Sequence, residues 1–331
     1  MRRKGILLAG GRGSRLFPMT RVVSKQLLPL YNKPMIYYPL ALLLRAGIRE
    51  ILIITTPQDL WQYQQLLGDG SSMGAHFSWA AQGTPKGIAE ALLIAQPFLK
   101  ESPSLLVLGD NVFHGAHLHT AIAHACLRSS GASLFVLPVE DPSQYGVLTQ
   151  DERGRPLALE EKPLMSMSRL AVTGLYVYDE RAPDFAASLR PGARGELEIT
   201  DLNRLYLERN DLHVEHLSEV EWFDTGTPDR LLSAQLYIQR QEQLKPGIGC
   251  PELAALESGL LPWEQFCTLA AAEDVYGEYL DGIRKQLALE SPDLRCWSSE
   301  GLRSSPSPSG CLHAFSPLPF RWTPTGSPHT I

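Results

Sequence analysis

Through the first half of the chain, short apolar runs alternate with longer stretches of helical periodicity. Residues 5–8, 50–55, 76–81, 105–108 and 134–139 are bounded by polar or turn-forming residues and predict strands. Residues 39–46, 59–67, 87–99 and 116–128 predict helices between them. That alternation predicts a Rossmann-like α/β fold, with a mainly parallel sheet covered on both faces by helices. Gly47 falls just past the helix ending at residue 46, where a left-handed C-cap is expected. Ligands of such sheets sit beyond the carboxyl ends of the strands. Segments 10–15, 82–87 and 109–111 each follow a strand directly, so one crevice is expected to gather all three.

The second half changes character. Residues 146–149 and 157–161 flank the polar turn Asp151-Glu152-Arg153-Gly154 and predict a hairpin, and 172–178 predicts another strand. Helical patterns follow at 196–209 and 228–243, then a short helical appendage at 246–290 interrupted by Pro262. From 291 to 331 Ser, Pro and Gly dominate and no acid follows Glu300, a composition that predicts a disordered tail.

With 331 residues, 44% of them apolar, and a net charge of −6, the chain can bury a sizeable core and has no basic excess pointing to nucleic acid. The apolar run at 35–44 is too short to span a bilayer and no signal-peptide pattern precedes the first strand, so the expectation is no membrane and a cytoplasmic location. Cys126, Cys250, Cys267, Cys296 and Cys311 are odd in number and lack CxxC spacing, which indicates neither a disulfide framework nor a zinc site.

The candidate chemistry begins at Leu8-Ala9-Gly10-Gly11-Arg12-Gly13-Ser14-Arg15-Leu16. Glycines let the backbone turn tightly and bring bare N–H groups against an anion, and Arg15 with Lys25 supplies the charge a triphosphate needs. No Gly-Lys-Ser/Thr closes the loop as in a P-loop, and Leu16 stands where a dinucleotide fingerprint wants its third glycine. A nucleotide-binding loop of another type is predicted.

The Gly-Gly-x-Gly-x-Arg-Leu pattern, Val23-Ser24-Lys25-Gln26-Leu27-Leu28-Pro29 and Lys33-Pro34-Met35-Ile36-Tyr37-Tyr38-Pro39 resemble the sugar-1-phosphate nucleotidylyltransferases. Gly109-Asp110-Asn111, Glu160-Glu161-Lys162-Pro163, Arg194-Gly195-Glu196-Leu197-Glu198 and Asp224-Thr225-Gly226-Thr227 continue the match in order, over about residues 4–245. The resemblance implies a transferase domain over 1–245, its nucleotide-binding half at about 1–140 and a β-rich sugar-binding insertion at about 141–227. It also implies Mg2+ as cofactor and a homotetramer. Its thymidylyl-transferring branch, which fits best, would take dTTP and glucose 1-phosphate. Uridylyl transfer to the same sugar phosphate and a binding-only regulator are the competing readings. The latter has no need of two metal carboxylates.

Carried over by resemblance, Leu8, Gly10, Gly11, Gly13, Ser14, Arg15, Lys25, Gln26, Gln82, Gly87 and Asp110 would bind the nucleotide. Asp110 and Asp224 would hold the metal. Their exchange for Asn is expected to remove most of kcat and scarcely move thermal unfolding. Asn111, Tyr145, Gly146, Glu161, Lys162, Val172, Gly174, Arg194 and Trp222 would receive the sugar phosphate, with Arg15, Lys25, Asp110, Lys162 and Asp224 as the catalytic set. Gly83 and Lys86 depart from the thymidylyl pattern, in which Pro and Asp are usual. His114, His117 and His119 lack a companion cysteine or carboxylate and are read as surface histidines at a helix start. The family's feedback by a dTDP-sugar involves the run Cys-Leu-Glu-Glu-Ile-Ala-Trp-Arg-Asn-Gly. Here Leu256 and Glu257 replace its Trp and Arg, so inhibition by dTDP-rhamnose is expected to be weak or absent.

Overall fold

Strand β1 (Lys4–Ala9) is buried from Gly5 to Ala9 and lies inside a nine-stranded sheet, as its unbroken apolar run requires. The structure, a computed structural model, describes residues 2–11, 13–192, 194–272 and 274–290. It divides into two units, Met1–Phe266 and Cys267–Ile331. The tail predicted at 291–331 lies outside the described residues.

After β1 come a small hairpin, β2 (Pro29–Leu30) with β3 (Lys33–Pro34), then α1 (Tyr37–Arg45), β4 (Glu50–Thr55), α2 (Leu60–Leu67), β5 (His76–Ala81), α3 (Glu90–Leu99) and β6 (Ser104–Leu108). This stretch supplies the parallel half of the sheet: β1 pairs in parallel with β4 and β6, and β4 with β5. Ile6, Leu8, Leu52, Ile54 and Leu106 pack with Ala91, Leu92, Ala95 and Leu99 of α3 in one buried cluster. Each such Leu or Ile contributes about 1.5–3 kcal/mol on burial. Helix α3 starts three residues later than the pattern predicts, because Gly87, at φ +104°, is pressed against the Leu197 backbone and stays outside the helix.

The rest of the large unit is mostly antiparallel. It comprises β7 (Asn111–Gly115), α4 (Leu118–Cys126), β8 (Ala132–Pro138), β9 (Gly146–Gln150), β10 (Pro156–Glu161), β11 (Leu170–Tyr178), α5 (Ala182–Ser188), α6 (Ile199–Glu208), β12 (Leu212–His216), β13 (Val220–Asp224), α7 (Pro228–Leu244) and α8 (Pro251–Glu257). The sheet order is β10-β9-β11-β6-β1-β4-β5, with β8 also pairing β11 and β12. Strand β11 keeps β8 on one edge over both halves and changes partners on the other: Leu170–Val172 pair with β9, and Leu175–Tyr178 pair with β6. Its register slips between Val172 and Tyr176, and Gly174 falls in that slip. Helix α7 starts on Pro228, with Thr227 accepting from the Arg230 N–H as its cap.

Strands β7, β12 and β13 were not predicted. Because β7 exists, α4 begins at Leu118 and His114 is a strand residue whose Nδ1 lies 2.8 Å from the Tyr237 hydroxyl. The surface-histidine reading is therefore corrected for His114, which packs edge-on against Tyr237. Helix α9 (Trp263–Ala270) crosses the division after Phe266, and Pro262 falls between α8 and α9. In the second unit α10 (Val275–Glu290) carries an Asp281–Lys285 pair at helical spacing. Among the described residues no helix is long and apolar enough to cross a membrane.

Candidate active site

Strand pairing brings two acidic residues distant in sequence to neighbouring backbone positions. At the end of β6 the Gly109 N–H donates to the Leu8 carbonyl at 2.8 Å, an approach a side chain would crowd, since a Cβ would sit 3.0 Å from that oxygen. Asp110 then turns the chain into β7, which pairs antiparallel with β13 so that Asn111 lies opposite Asp224. The Thr225 hydroxyl donates to the Asp110 carbonyl at 2.9 Å and fixes the junction.

Each carboxylate has its own cation. Lys25 Nζ donates to Asp110 Oδ2 at 2.6 Å, and Arg230 Nη1 donates to Asp224 Oδ2 at 2.9 Å. Burial raises the Asp110 pKa, but the Lys25 charge and the hydrogen bonds from Lys25 and Asn111 outweigh it and hold the carboxyl below its ordinary 3.8. Lys25 is only 4% exposed, so Asn at position 110 would strand its charge. The expectation of unchanged unfolding therefore does not suit Asp110.

No cluster of three or more His, Cys, Asp or Glu able to hold a metal occurs among the described residues. Two carboxylates leave most of an octahedral shell to waters and phosphate oxygens, which is how Mg2+ is commonly held. Asn111 does not add a ligand, because its Oδ1 accepts from the Trp222 Nε1 at 2.6 Å and the Gly174 N–H at 3.1 Å. This amide ties β7, β11 and β13 together.

The glycine loop closes beside these carboxylates. Gly13 takes φ +60°, and the Thr20 hydroxyl donates to its carbonyl at 2.8 Å. Ser14–Leu16 form one 3-10 turn in which Leu16 is buried while Ser14 and Arg15 are exposed. The exposed Arg15 guanidinium lies against Gly226, next to Asp224, where a Cβ would have to push it aside. Gln26 is buried with Ser24 and Tyr63, and its Oε1 accepts from Ser24 at 3.0 Å. It forms the floor under Gly11. Gln82 is buried beside Gly10 and donates to Glu90 at 2.6 Å.

Beyond the carboxylates lies a second group. Tyr145 and Trp222 rings meet at 4.9 Å, and Val172 pairs with Gly146 across β11 and β9. Glu161 accepts from Thr200 at 2.6 Å and from Arg194 at 2.9 Å. Arg194 also forms a two-point bridge to Glu198. Burial lowers its pKa, but Glu198, Glu161 and Glu196 raise it further, so it stays charged. Lys162 sits at φ +45° with Nζ 3.6 Å from Glu161. The loop of Arg194 reaches the segment after β5 through the Leu197 N–H, which donates to the Lys86 carbonyl at 2.6 Å.

A family profile described as nucleotidyl transferase matches residues 4–241. The chain belongs to that family. The glucose-1-phosphate thymidylyltransferase of Xanthomonas campestris pv. campestris strain B100 is 49% identical over 292 residues, 87% of this chain and 99% of that one. Its counterpart from Neisseria meningitidis serogroup A is 47% identical over 287 residues, 86% of this chain and 100% of that one. A solved structure from Bacillus anthracis, described as a glucose-1-phosphate thymidylyltransferase in complex with sucrose, superposes with a TM-score of 0.67 at 37% identity. That match covers 71% of this chain and 95% of the other.

As a nucleotidyltransferase the chain carries site neighbours that sequence reading missed. Arg230 and Glu90 each hold a residue of the predicted set, and Thr200 and Thr225 brace two others. Thr225 lies inside the Asp224-Thr225-Gly226-Thr227 motif, and Arg230 lies six residues beyond Asp224, at a spacing no pattern singles out. Glu90 was legible only as an acidic residue near a helix start.

Proposed function

We propose that this nucleotidyltransferase takes dTTP and glucose 1-phosphate, with Mg2+, to dTDP-glucose and pyrophosphate, the entry to dTDP-deoxysugars of the dTDP-rhamnose type. The observation that supports it most is the pairing of β7 with β13, which brings Asp110 and Asp224 together beside the glycine loop.

Both reactants are anions, so the protein has to hold like charges together and keep them in line. The glycine loop with Arg15 and Lys25 receives the triphosphate. Lys162 and Arg194 receive the phosphate of the sugar, while Glu161 and Asn111 meet hexose hydroxyls and Trp222 covers a C–H face. A phosphate oxygen of the sugar then attacks the α-phosphorus, the new P–O bond forms, and the bond from the α-phosphorus to the bridging oxygen breaks to release pyrophosphate. Asp110 and Asp224 would hold Mg2+, which when bound withdraws negative charge from the phosphates. Lys25 is already fixed beside the reacting phosphates by Asp110, so it pays little ordering entropy when the charge develops.

Pyrophosphate release from dTTP with glucose 1-phosphate tests the reading, run with and without Mg2+ and with UTP in parallel. The expected result is Mg2+-dependent release with dTTP preferred. Release with UTP alone would establish the uridylyl reading, and binding without release would make the chain a regulator.

A further inference from the structure

At the end of β5 the amide of Gln82 is held by acceptors alone. Its Nε2 donates to Glu90 Oε2 at 2.6 Å and leans on the Gly87 carbonyl at 3.5 Å. A carboxylate and a carbonyl offer lone pairs and no proton, so the NH2 group has to face them. The amide therefore has a single orientation. Its Oε1 is left over Gly10 of the nucleotide loop, where a Cβ would stand 2.7 Å from it. Gln82 is 3% exposed, so turning the amide over would set oxygen against oxygen with little water to relieve it. Glu90 is itself fixed, in the first turn of α3, by accepting from the Lys86 N–H at 3.1 Å.

We propose that Glu90 is a specificity-determining positioning residue, which locks Gln82 with its oxygen toward the base and so selects nucleotides whose pyrimidine edge presents an N–H donor. Thymine and uracil carry that donor at N3. Cytosine carries a lone pair there and would meet Gln82 Oε1 acceptor to acceptor. Because thymine and uracil share the edge, Glu90 separates both from cytosine and leaves the choice between them to other contacts. The inference rests on Gln82 facing the base in the proposed reaction. The plain alternative is that Glu90 only caps Lys86 and the start of α3.

Calorimetric binding of dTTP and dCTP, without sugar phosphate, to the wild type and to Glu90→Gln and Glu90→Asp variants decides between them. The wild type is expected to prefer dTTP by about 10⁴-fold, the scale on which a site built for a substrate N–H rejects the analogue lacking it. In Glu90→Gln the new amide can donate as well as accept, so Gln82 is free to turn. The preference then falls at least about tenfold, with dCTP gaining in absolute affinity. Glu90→Asp remains acceptor-only and keeps the preference within about threefold even where both nucleotides weaken. Equal binding of the two by the wild type, or equal weakening of both in Glu90→Gln, would overturn the proposal. Absence of pyrophosphate release with the preference intact would instead remove the proposed reaction and leave this inference standing.

Discussion

The two ends of the candidate site are held by different means. Around Asp110 and Asp224 the charges are paired one to one and carried at the ends of hydrogen-bonded strands, with Lys25 buried. At the other end Lys162 and Arg194 have side chains 43% and 41% exposed, and one guanidinium is shared among Glu161, Glu196 and Glu198. Exposed ion pairs are worth about 0–1 kcal/mol, so an arriving phosphate can replace those carboxylates cheaply. Breaking a buried pair costs several times more. The difference suits the proposed chemistry: a preformed frame where charge develops, and exchangeable partners where the second substrate docks.

The largest effect that could break this comparison is at Asp110. Asp110→Asn is expected to lower kcat by about 10²–10³-fold, the scale for losing one group aimed at transition-state charge. It should also destabilise the protein by about 3 kcal/mol, because Lys25 loses its ion-pair partner while buried. Asp224→Asn should lower kcat similarly with a smaller stability loss, since the Arg230 side chain is 33% exposed. Steady-state kinetics with calorimetric melts check both. Equal melting losses in the two variants would erase the distinction between a buried and a half-open pair.

Next in size is the other end. Arg194→Ala is expected to raise KM for the sugar phosphate about tenfold or more and change kcat less, with an unmoved melting temperature, because three glutamates lose a solvated partner. A fall in kcat at unchanged KM would move Arg194 into the transition-state frame.

A smaller effect concerns pH. The folded protein holds the Asp110 carboxyl below its ordinary 3.8, so the pair stabilises the fold above that value and the contribution is lost as pH falls through the lower, folded-state pKa. In metal-free buffer the melting difference between wild type and Asp110→Asn should be constant at about pH 5–8 and close below about pH 4. A difference that persists in acid would mean the loss comes from packing.

The smallest expected effect is on feedback. Glu257 ion-pairs with Arg45 at the edge of a cavity of about 280 Å³ lined by Tyr38, His114 and His119 among others. With that arginine engaged and a carboxylate in place of the family's guanidinium, dTDP-rhamnose should inhibit weakly. Restoring Leu256→Trp with Glu257→Arg should strengthen inhibition, and strong inhibition of the wild type would refute the expectation.

The parallel half of the fold was legible because its strands are apolar on both faces and end in glycine or polar turns, as in 5–8 and 105–108. Strands β7 and β13 were hidden. Asn111-Val112-Phe113-His114-Gly115 and Val220-Glu221-Trp222-Phe223-Asp224 are short and half polar, and each gains its strand character from the other. The predicted site residues came from resemblance of motifs, not from periodicity. Arg230 and Glu90 could not be found that way, since each matters through a partner that only the folded chain brings within 3 Å.

The central claim is that Asp110 and Asp224 form one metal site on paired strands. Mn2+ titration followed by electron paramagnetic resonance tests it directly, with wild type, Asp110→Asn and Asp224→Asn, each with and without dTTP. The account predicts one ion on the wild type, held more tightly with dTTP, and loss of that site in either variant. Retention of wild-type Mn2+ binding by either Asn variant would contradict it.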